Sequence, residues 1–540
     1  MPQASSSNPS AIAELFGYSD PTLPKDALSS KQFSTLVEIL SEGEIEGSAS
    51  ASKAGVTDIT SSAYLNHFLK DVLLNGTQVL QANANVANPQ DSDFNFKDIQ
   101  FAFKSGTANQ TKIDGIRNVE RTTGINLRVT TSNPREHTIT DTNIETVRIT
   151  IQFPTLQKFE DNGNIAGAEV QLGIKTIQNN GTETTHITDT VKGRSTNAYN
   201  RDYEFDLPAN ASFPVVVQVF RTTADSSDSN LVNAFDFFTI TELIKETQTY
   251  PNTAHIAIRI SSEQFPRVPS RLFRIRGVKV KIPHNATVDA SNGRITYSGT
   301  FNGTFLKDGS NNIIKKWTSD PAWILFHVLT NERFGAGIPE AKLNQYSFYS
   351  VSEYCNVLVD DGNNGLEPRY SCNINITTAK EAYTVINQLC SVFNAIAYFA
   401  AGSIEIAQDA PVTAPKYIFN LSNVTSDGFS YIGSSRKTRH TIFNVAYFDM
   451  ETQEIDYETV EADQSTIDKY GQVVKTVSAI GTTSRGQAQR FGKWLLYNEQ
   501  NAGESCNFTT TIDAGIIVRP HDIIGISDTL KAGVRRGGRL

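Results

Sequence analysis

Apolar and polar positions alternate along much of the chain in the manner of β-strands. The clearest case is "ETVRITIQFPTLQ" (145–157), in which Val147, Ile149 and Ile151 alternate with polar residues. A period of two is typical of a strand with one buried face and one exposed face. Thr, Asn and Ser are also frequent, and these residues favour strands and turns. We therefore expect a mainly β protein.

Two short segments predict β-hairpins. In "DVLLNGTQVL" (71–80), the pair Asn75-Gly76 lies between two apolar runs, which is the strongest short signal for a hairpin turn. The segment "AIAYFAAGSIEIAQ" (395–408) predicts a second hairpin that turns near Gly402. Further strands are predicted at 33–47 with a break at Glu42-Gly43, and at 168–177, 253–260, 274–283, 441–449 and 504–518.

One apolar helix is predicted near the middle of the chain, in "WTSDPAWILFHVLTNERFGAGI" (317–338). Asp320 can cap its N-terminus, Pro321 suits the first helical position, and Gly335 can adopt the left-handed conformation that ends a helix. The apolar residues cover nearly all sides of this helix. We therefore expect it to be buried at a junction between β-domains. Its apolar stripe consists of Ala322, Leu325, Phe326 and Leu329, widened by Trp323, Ile324 and Val328.

Three further helices are predicted from capping boxes, in which a Ser or Thr cap is followed three residues later by Glu or Gln. Strands lie between them, so the second half of the chain is expected to be α+β. The three boxes are Ser350 with Glu353, Thr378 with Glu381, and Ser484 with Gln487.

Length and charge narrow the classes of protein. At 540 residues the chain is expected to form roughly three or four domains. Its net charge of −9 argues against tight, non-specific DNA binding. The same charge is compatible with a wall that DNA passes without adhering to it. The first 30 residues are rich in Ser, Ala and Pro and are expected to be a flexible arm.

Nothing in the sequence predicts export or a membrane span. There is no apolar run of about 18 residues, and the N-terminus lacks the basic and apolar regions of a signal peptide. The four cysteines have no CxxC spacing, so we expect reduced, structural thiols, consistent with synthesis in the cytoplasm. They are Cys355, Cys372, Cys390 and Cys506.

No catalytic, cofactor-binding or metal-binding residues are predicted. The chain lacks HExxH, GxSxG, GxxxxGK[ST] and GxGxxG, and its eight histidines are scattered. The segment "VDDGNNGLEPRY" (359–370) resembles a calcium loop through Asp360, Asp361 and Asn363, but its spacing is not that of an EF-hand, so a turn is favoured. We therefore expect a protein that is not an enzyme.

One predicted strand is basic. In "RIRGVKVKIP" (274–283), Arg and Lys alternate with Ile and Val, which predicts that the basic residues lie on one face. A solvated sheet face is the favoured interpretation, and contact with an acidic partner is the alternative.

Several segments occur in one characteristic order. They include "LVEILSEGEIEG", "FKSGTANQ", "YPNTAHIAIRI", "GVKVKIPHN", "WTSDPAWILFHVLTNERFGAG", "TSRGQAQRFGKWLLY" and "VRPHDIIGISD". In this order the chain resembles the tail tip attachment proteins of lambda-like long-tailed phages, the family of host-specificity protein J. The resemblance covers about residues 35–540, and the Pro-Ala-Trp helix with its Thr-Asn-Glu-Arg-Phe-Gly ending is its most specific part.

The resemblance implies a structural role in the virion. Proteins of this family form a homotrimeric hub at the distal end of the tail tube, with N-terminal barrels similar to the hub of contractile tails. Two barrels in each of three subunits would form a pseudo-six-fold ring that mates with a hexameric tail ring. The implied partners are that ring, the C-terminus of the tape-measure protein, other tail-tip proteins and, transiently, genomic DNA. The implied location is the tail tip.

The fold class that follows is multidomain and mainly β with α+β parts, with β-barrel hub domains similar to phage baseplate and tail hub proteins and a small β-sandwich insertion. The predicted domains are a flexible arm (1–30), a first hub β-barrel (31–157), a small β insertion (158–225), a second β-rich hub domain (226–310), an α+β hub domain with the buried helix (311–430) and an α+β domain leading toward a C-terminal region not present (431–540).

The leading functional hypothesis is a tail-tip hub that closes the tube, anchors tail proteins and takes part in host attachment and DNA ejection. We expect its lumen to be net acidic, because carboxylates repel the DNA backbone. The family usually continues to a receptor-binding tip. Receptor contact is therefore expected either through a region beyond "DTLKAGVRRGGRL" or through another protein. The alternatives are a receptor-binding adhesin, with Tyr346, Phe348 and Tyr349 as contacts or, more simply, as core residues, and a tail-associated envelope hydrolase.

Overall fold

The computed structural model describes residues 33–113, 119–244, 249–261, 263–378, 380–433, 439–529 and 535–539. It is mainly β, with 41% strand and 17% helix, which confirms the predicted class at that level. The chain divides into two compact units, Met1–Val278 and Lys279–Leu540. The arm predicted at 1–30 lies outside the described residues. Among the described helices, none has both the length and the apolar character needed to cross a bilayer.

The first unit is built almost entirely of strands. Its helices are α1 (Ala49–Lys53) and α2 (Ser62–Asp71), with a short 3-10 helix at Asp91–Asp93. Its strands are β1 (Phe33–Glu42), β2 (Ile45–Ser48), β3 (Val72–Leu74), β4 (Thr77–Gln78), β5 (Gln100–Ser105), β6 (Val119–Val129), β7 (Arg135–Ile139), β8 (Thr146–Phe153), β9 (Gln157–Phe159), β10 (Ile165–Ala166), β11 (Ala168–Gln178), β12 (Glu183–Gly193), β13 (Tyr199–Asp206), β14 (Val215–Arg221), β15 (Leu231–Val232), β16 (Phe235–Ile244), β17 (Thr253–Ser261), β18 (Arg271–Phe273) and β19 (Ile275–Val278).

One core of the first unit lies between the antiparallel sheet β1-β17-β5 and helix α2. Phe68 of α2 packs edge-on against Phe101 and Phe103 of β5, at ring-centroid distances of 5.0 and 4.9 Å. The predicted Asn75-Gly76 hairpin is confirmed, because β3 pairs with β4 and both turn residues have positive φ angles. The predicted break after Glu42 also separates β1 from β2.

A β-sandwich forms the second core of this unit. Two four-stranded sheets, ordered β12-β11-β14-β7 and β13-β8-β16-β6, contribute to a single apolar cluster. Val147, Ile149 and Ile151 of β8 are fully buried in it. On the opposite face of the same strand, Arg148 forms an ion pair with Glu204 of β13. The alternation read from the sequence therefore describes this strand correctly.

The sandwich is inserted between two strands that are paired with each other. Ser105 of β5 is the register partner of Ala254 of β17. The first and last strands of the sandwich, β6 and β16, pair with each other, and Val119 is the register partner of Ile244. The predicted small β insertion (158–225) lies within this sandwich, and strands on both sides of that range belong to the same two sheets. The domain boundaries given above stay predictions. No sheet closes into a barrel in the parts of the chain that the structure describes, so the hub barrels also stay a prediction.

The second unit combines short sheets with longer helices. Its helices are α3 (Pro321–Thr330), α4 (Gln345–Cys355), α5 (Ala382–Val392), α6 (Gln464–Tyr470), α7 (Arg485–Asn501) and α8 (Ile512–Ile517), with a 3-10 helix at Glu340–Lys342. Its strands are β20 (Val280–Lys281), β21 (Ala286–Val288), β22 (Ile295–Tyr297), β23 (Lys315–Lys316), β24 (Leu358–Asp360), β25 (Leu366–Pro368), β26 (Ala395–Ala400), β27 (Ser403–Gln408), β28 (Tyr417–Asn420), β29 (Ser430–Gly433), β30 (Ile442–Phe448), β31 (Ile455–Glu461), β32 (Val474–Ser478), β33 (Glu504–Asn507), β34 (Ile523–Ser527) and β35 (Arg535–Arg539).

The apolar helix α3 is confirmed, with Asp320 as its N-cap and Pro321 at its first position. It lies in the main core of this unit together with residues of α4, α5 and β27. The expected role of Gly335 is wrong, because the helix ends at Thr330 and the left-handed glycine nearby is Gly337. Gly335 is instead required by a close approach, since a Cβ there would lie 2.0 Å from the Val328 carbonyl oxygen.

The capping boxes give a mixed result. Helix α7 begins as predicted, with the Ser484 hydroxyl accepting from the Gln487 amide at 3.2 Å. The box at Ser350 is wrong, because α4 begins at Gln345 with Asn344 as its cap, which leaves Ser350 inside the helix. The box at Thr378 is wrong as well, because α5 begins after Glu381 without any side-chain cap.

Two smaller cores complete the second unit. In one, α7 packs on the sheet β31-β30-β32. In the other, α8 packs near the sheet β28-β34-β35. The hairpin β26–β27 turns at Ala401-Gly402, as predicted. The strand predicted over 504–518 is only partly correct, because it ends at Asn507 and the Ile-rich end of that segment forms α8.

Candidate interaction surfaces

A fully buried polar network anchors helix α3 to helix α4. Asp320 accepts a hydrogen bond from the Trp323 amide at 2.8 Å, and also from the Ser352 hydroxyl and the Asn356 side-chain amide. The Tyr297 hydroxyl extends this network, because it lies 2.6 Å from the Ser352 hydroxyl and accepts from the Trp323 indole at 2.8 Å. Burial raises the pKa of Asp320, and these hydrogen bonds oppose the shift. The carboxylate is enclosed by its own partners, so its role is structural.

Three cysteines near this core behave as apolar residues. Cys355, Cys372 and Cys390 are buried and free, whereas Cys506 is half-buried. Burial raises the pKa of Cys372 and of Cys390 to about 12. These two thiols therefore stay protonated at neutral pH and are poor nucleophiles.

The three aromatic residues considered as receptor contacts lie in different environments. Phe348 is fully buried and packs edge-on against Phe326, with ring centroids 5.2 Å apart. Tyr349 is half-buried and stacks on Phe301 at 4.6 Å. Tyr346 is 58% exposed and contacts the edge of the same phenylalanine. Only Tyr346 of the three presents most of its side chain to solvent.

The calcium-like segment is a hairpin turn. It connects β24 with β25, and Asp361 accepts from the backbone amides of Asn363 at 2.7 Å and Gly365 at 2.9 Å. These hydrogen bonds lower the pKa of Asp361. Within the described ranges no group of three His, Cys, Asp or Glu side chains is placed to hold a metal ion.

The basic segment 274–283 is not one strand with one basic face. It is broken between β19 and β20. Arg276 is buried and donates to the Ser52 hydroxyl at 2.7 Å, while Lys281 forms an ion pair with Glu340. The expectation of a single basic face is therefore wrong, because Arg276 and Lys281 are five positions apart, which strict alternation places on opposite faces, and the strand is interrupted between them.

An uncovered apolar surface lies on the sheet β31-β30-β32. One face of this sheet packs on α7 through Val445 and Val460. On the other face, Phe448 is the register partner of Ile455, which is 66% exposed, and Tyr457 is 57% exposed one row further along. Neighbours in adjacent rows of one sheet face are in contact range. We call this surface, made of Phe448, Met450, Ile455 and Tyr457, the hairpin patch.

A second uncovered apolar surface lies on helix α8. Ala514 of this helix points into the local core, whereas Ile512 and Ile516, four residues apart, are 83% and 75% exposed. Ile517 beside them is also exposed. Residues four apart lie on one side of a helix, so these side chains form a continuous surface. We call Ile512, Ile516 and Ile517 the isoleucine patch.

Sequence reasoning missed both patches. In β31 the outward Ile455 and Tyr457 alternate with the inward Glu458 and Val460, so apolar and acidic residues occur on both faces and the pattern does not identify the buried one. The isoleucine patch was missed because the surrounding segment predicts a strand. A signal was present in the acidic composition of residues 441–463, which contain no Lys, Arg or His.

Comparison with known families gives two matches within the chain. Residues 119–246 match the family model of the FNIII-A domain of tip attachment protein J. Residues 381–540 match the model of a phage tail protein family. The first match coincides with the β-sandwich, and the second includes both apolar patches.

Two similar proteins extend the likeness along most of the chain. Tip attachment protein J of Escherichia phage SECphi4 is 30% identical over 519 residues, which are 95% of this chain and 42% of that protein. Tip attachment protein J of Escherichia phage SECphi27 is 28% identical over 468 residues, which are 86% of this chain and 37% of that protein. The chain therefore spans about two fifths of the length of these curated relatives.

Among solved structures, a 43 kDa tail protein of prophage MuSo2 from Shewanella oneidensis aligns with 74% of this chain and 87% of its own. The two are 11% identical, with a TM-score of 0.26. A TM-score this low carries no conclusion about a shared fold.

Proposed function

Because this chain belongs to the tip attachment protein J family of phage tails, it is a structural component of the tail tip, and we propose that it forms the hub that closes the distal end of the tail tube. The observation that carries the proposal is the distribution of exposed apolar side chains. More than half of the large ones that are exposed among the described residues lie between Ile376 and Ile517, about a quarter of the chain. Where such side chains are contiguous, as in the hairpin patch and the isoleucine patch, the surface is a candidate site for binding by another chain.

The hub is proposed to be a homotrimer. Its proposed partners are a hexameric ring at the end of the tail tube, the C-terminus of the tape-measure protein and other tail-tip proteins. A chain that works inside such an assembly keeps apolar surface exposed when it is alone, because the partners supply the missing contacts.

The hub is also proposed to open for DNA ejection. The net charge of −9 supports a lumen that DNA passes without binding, since carboxylates repel phosphates. A ring structure with a bore lined by Lys and Arg would contradict this part of the proposal.

Host attachment is proposed for the assembled tip. Contact with the receptor is assigned to sequence that the longer relatives carry beyond the matched region. Within this chain, Tyr346 is the best placed of the three aromatic residues to contribute a direct contact, because most of its side chain is exposed. Binding of the isolated chain to host cells, lost on Tyr346→Ala, would favour the adhesin alternative.

No enzymatic step is proposed. The families that match are tail protein families, and the most deeply buried carboxylate and thiols described above are enclosed by the core. Turnover of host envelope by the purified chain, lost on changing one carboxylate, would instead support the hydrolase alternative.

Two measurements test the proposed function. An antibody against the chain should label the distal end of purified tails in electron micrographs, and labelling elsewhere would contradict a tail-tip location. The mass of the purified chain by light scattering should approach three times 59.3 kDa as protein concentration rises. A mass that stays at that of the monomer at every concentration would contradict the trimer.

A further inference from the structure

The longest stretch of the chain without a charged side chain forms helix α5 and most of the hairpin β26–β27. The 23 residues from Ala382 to Ile404 contain no Asp, Glu, Lys, Arg or His, although 19% of the whole chain is Asp, Glu, Lys or Arg. Part of this stretch is strongly exposed, because Tyr383 is 75% and Phe399 is 71% exposed. Charged side chains normally lie at protein surfaces, so an exposed region without any suits an environment other than water.

The turn of this hairpin is apolar at a conformational cost. Ala401 and Gly402 have φ angles of +48° and +84°, close to the +50° and +80° of Asn75 and Gly76 in the hairpin β3–β4. Asn-Gly is a preferred pair for such a turn, because Asn tolerates a positive φ angle better than Ala does. Among the non-glycine residues that the structure describes with positive φ, Ala401 is the only alanine. Backbone strain of this kind points to a function for the residue, and Ala401 is exposed and apolar.

The two exposed aromatic residues lie at the same end of this region. After α5 the chain turns within two residues, and β26 returns along the helix, with which it shares a core. The eleven residues of α5 and the six of β26 span about 16 and 20 Å, which are similar lengths. Phe399 near the end of β26 therefore returns to the level of Tyr383 near the start of α5.

The first charged residue on β27 lies a short way below the turn. Glu405 is three residues beyond Gly402, which is about 10 Å along a strand. Glu405 forms an ion pair with Arg519, and its carboxylate also accepts a hydrogen bond from the Tyr398 hydroxyl at 3.2 Å. Side chains that lie in the interface of a membrane reach about 5–10 Å into it, and tyrosine is enriched at the boundary. The uncharged part of the hairpin therefore has the length that such an insertion needs.

We propose that the tip of the hairpin β26–β27, residues Phe399 to Gly402, inserts into the interfacial layer of a phospholipid membrane, with Tyr383 beside it. This inference goes beyond the proposed function and does not depend on the trimer. A membrane fits the tip better than a protein partner does, because specific protein interfaces surround an apolar centre with a polar rim. Lipid needs no complementary polar group, and insertion removes the exposed Phe399 ring from water.

Flotation with vesicles tests the proposal. The purified chain is mixed with vesicles of phosphatidylethanolamine and phosphatidylglycerol and centrifuged in a density gradient, in which aggregated protein does not float. We expect the wild-type chain to float with the vesicles, also in about 0.5 M NaCl, because the contact is apolar and not ionic. Phe399→Glu should weaken the binding roughly tenfold or more, since it removes apolar area and adds a charge.

Ala401→Asn separates membrane binding from stability. Asn suits the positive φ angle of the turn, so the midpoint of thermal unfolding should stay the same or rise. Binding to vesicles should nevertheless fall, because the substitution places a polar amide at the tip. The matched control is Ile455→Glu, which adds the charge of Phe399→Glu to a residue of the hairpin patch that is 66% exposed. It should bind vesicles as the wild type does.

The outcomes are distinct. Flotation of the wild type and of Ile455→Glu, with loss of flotation in both tip variants, supports the proposal. A wild-type chain that does not float at any lipid concentration overturns it, as does equal flotation of the wild type and both tip variants. Loss of flotation in Ile455→Glu alone would place the lipid contact at the hairpin patch and would also overturn the proposal. The mass by light scattering is a separate measurement, so the proposed trimer is judged independently of these results.

Discussion

At the scale of single residues, Asp320 makes several structural contacts at once. Its carboxylate caps α3 and accepts hydrogen bonds from Ser352 and Asn356 of the neighbouring helix and its C-cap. Asp320 is only 1% exposed, so water cannot replace these contacts. Removing such a group leaves buried donors without acceptors, which costs more than the loss of a hydrogen bond at the surface.

We therefore predict that Asp320→Ala lowers the free energy of unfolding by about 3 kcal/mol, the sum of a lost cap and unsatisfied buried donors. The midpoint of urea unfolding, with its slope, measures the change. The control is Asp463→Ala, which changes an Asp that also precedes a helix but is exposed. It should alter stability by no more than about 0.5 kcal/mol. Equal effects from the two substitutions would refute the buried-network argument.

His327 on the same helix gives stability a defined pH dependence. Burial, and then the charges of Lys315 and Lys281, lower the pKa of His327 from 6.5 to about 4. Below pH 6.5 the unfolded chain binds a proton that the folded chain does not bind, so stability falls as pH decreases toward 4 and the effect is complete below that value. Above pH 6.5 neither state is protonated, and the effect is absent.

We predict that wild-type stability relative to His327→Gln falls by up to about 3 kcal/mol between pH 7 and pH 4. Parallel urea titrations of the two proteins across this range measure the difference, and the offset at pH 7 to 8 serves as the internal reference for the substitution itself. A difference that does not change with pH would show that His327 is not protected from protonation.

At the scale of elements, local chemistry in the sequence predicts some features well. The turns at Asn75-Gly76 and Gly402, and the cap at Asp320, depend on residues only a few positions apart. Gly335 shows what local chemistry cannot supply. Glycine is required at this position because the backbone beyond the helix passes close to the Val328 carbonyl oxygen. The sequence around Gly335 contains no local signal of this approach.

The first residue of a helix and the exposure of a surface depend on tertiary contacts more than turns and caps do. Ser350 has the chemistry of a cap, but Asn344 starts the helix a turn and a half earlier because Phe348 and Val351 are then buried in the core. The two patches could not be located from the sequence for a similar reason. Whether Ile455 and Ile516 are buried depends on which face the rest of the unit covers.

Helix α7 lies close to its sheet because Gly492 has no side chain. A Cβ at this position would lie 2.6 Å from a methyl group of Val460 and 3.1 Å from one of Val445. Both valines are buried in the core beneath the helix and cannot move away freely. The sequence alone does not show why glycine occupies this position. Glycine has a low helix propensity, and the close contact with the sheet is visible only in the structure.

We predict that Gly492→Ala destabilises the second unit by about 1 to 3 kcal/mol, since overpacking outweighs the gain in helix propensity. The matched control is Gly515→Ala in α8, where a Cβ would meet nothing within 4 Å. It should be neutral or stabilising by up to about 1 kcal/mol. Thermal unfolding followed by circular dichroism at 222 nm compares the stabilities of the two variants with that of the wild-type chain. A Gly492→Ala variant more stable than the wild type would contradict the close packing.

At the scale of the whole molecule, the β-sandwich has the features of an inserted domain. It has its own apolar core, separate from that of the sheet β1-β17-β5. Its entry and exit strands pair with each other to their ends, so Val119 and Ile244 are neighbours. The strands that flank the insertion are paired as well, with Gln110 donating to the carbonyls of Tyr250 and Thr253. Joining points that are already adjacent costs little chain entropy.

We therefore predict that replacing residues 114–248 with a short Gly-Ser linker leaves the rest of the first unit folded. The complementary piece, residues 119–244, should unfold in one cooperative transition when expressed alone, because both sheets and their shared core are retained. Circular dichroism melts of the two proteins test this, with the full chain as reference. If the shortened chain lost its cooperative transition while residues 119–244 kept theirs, the sandwich would be needed to hold β5 and β17 together. The fold around the sheet β1-β17-β5 would then depend on the sandwich, and the sandwich would not be an independent insertion.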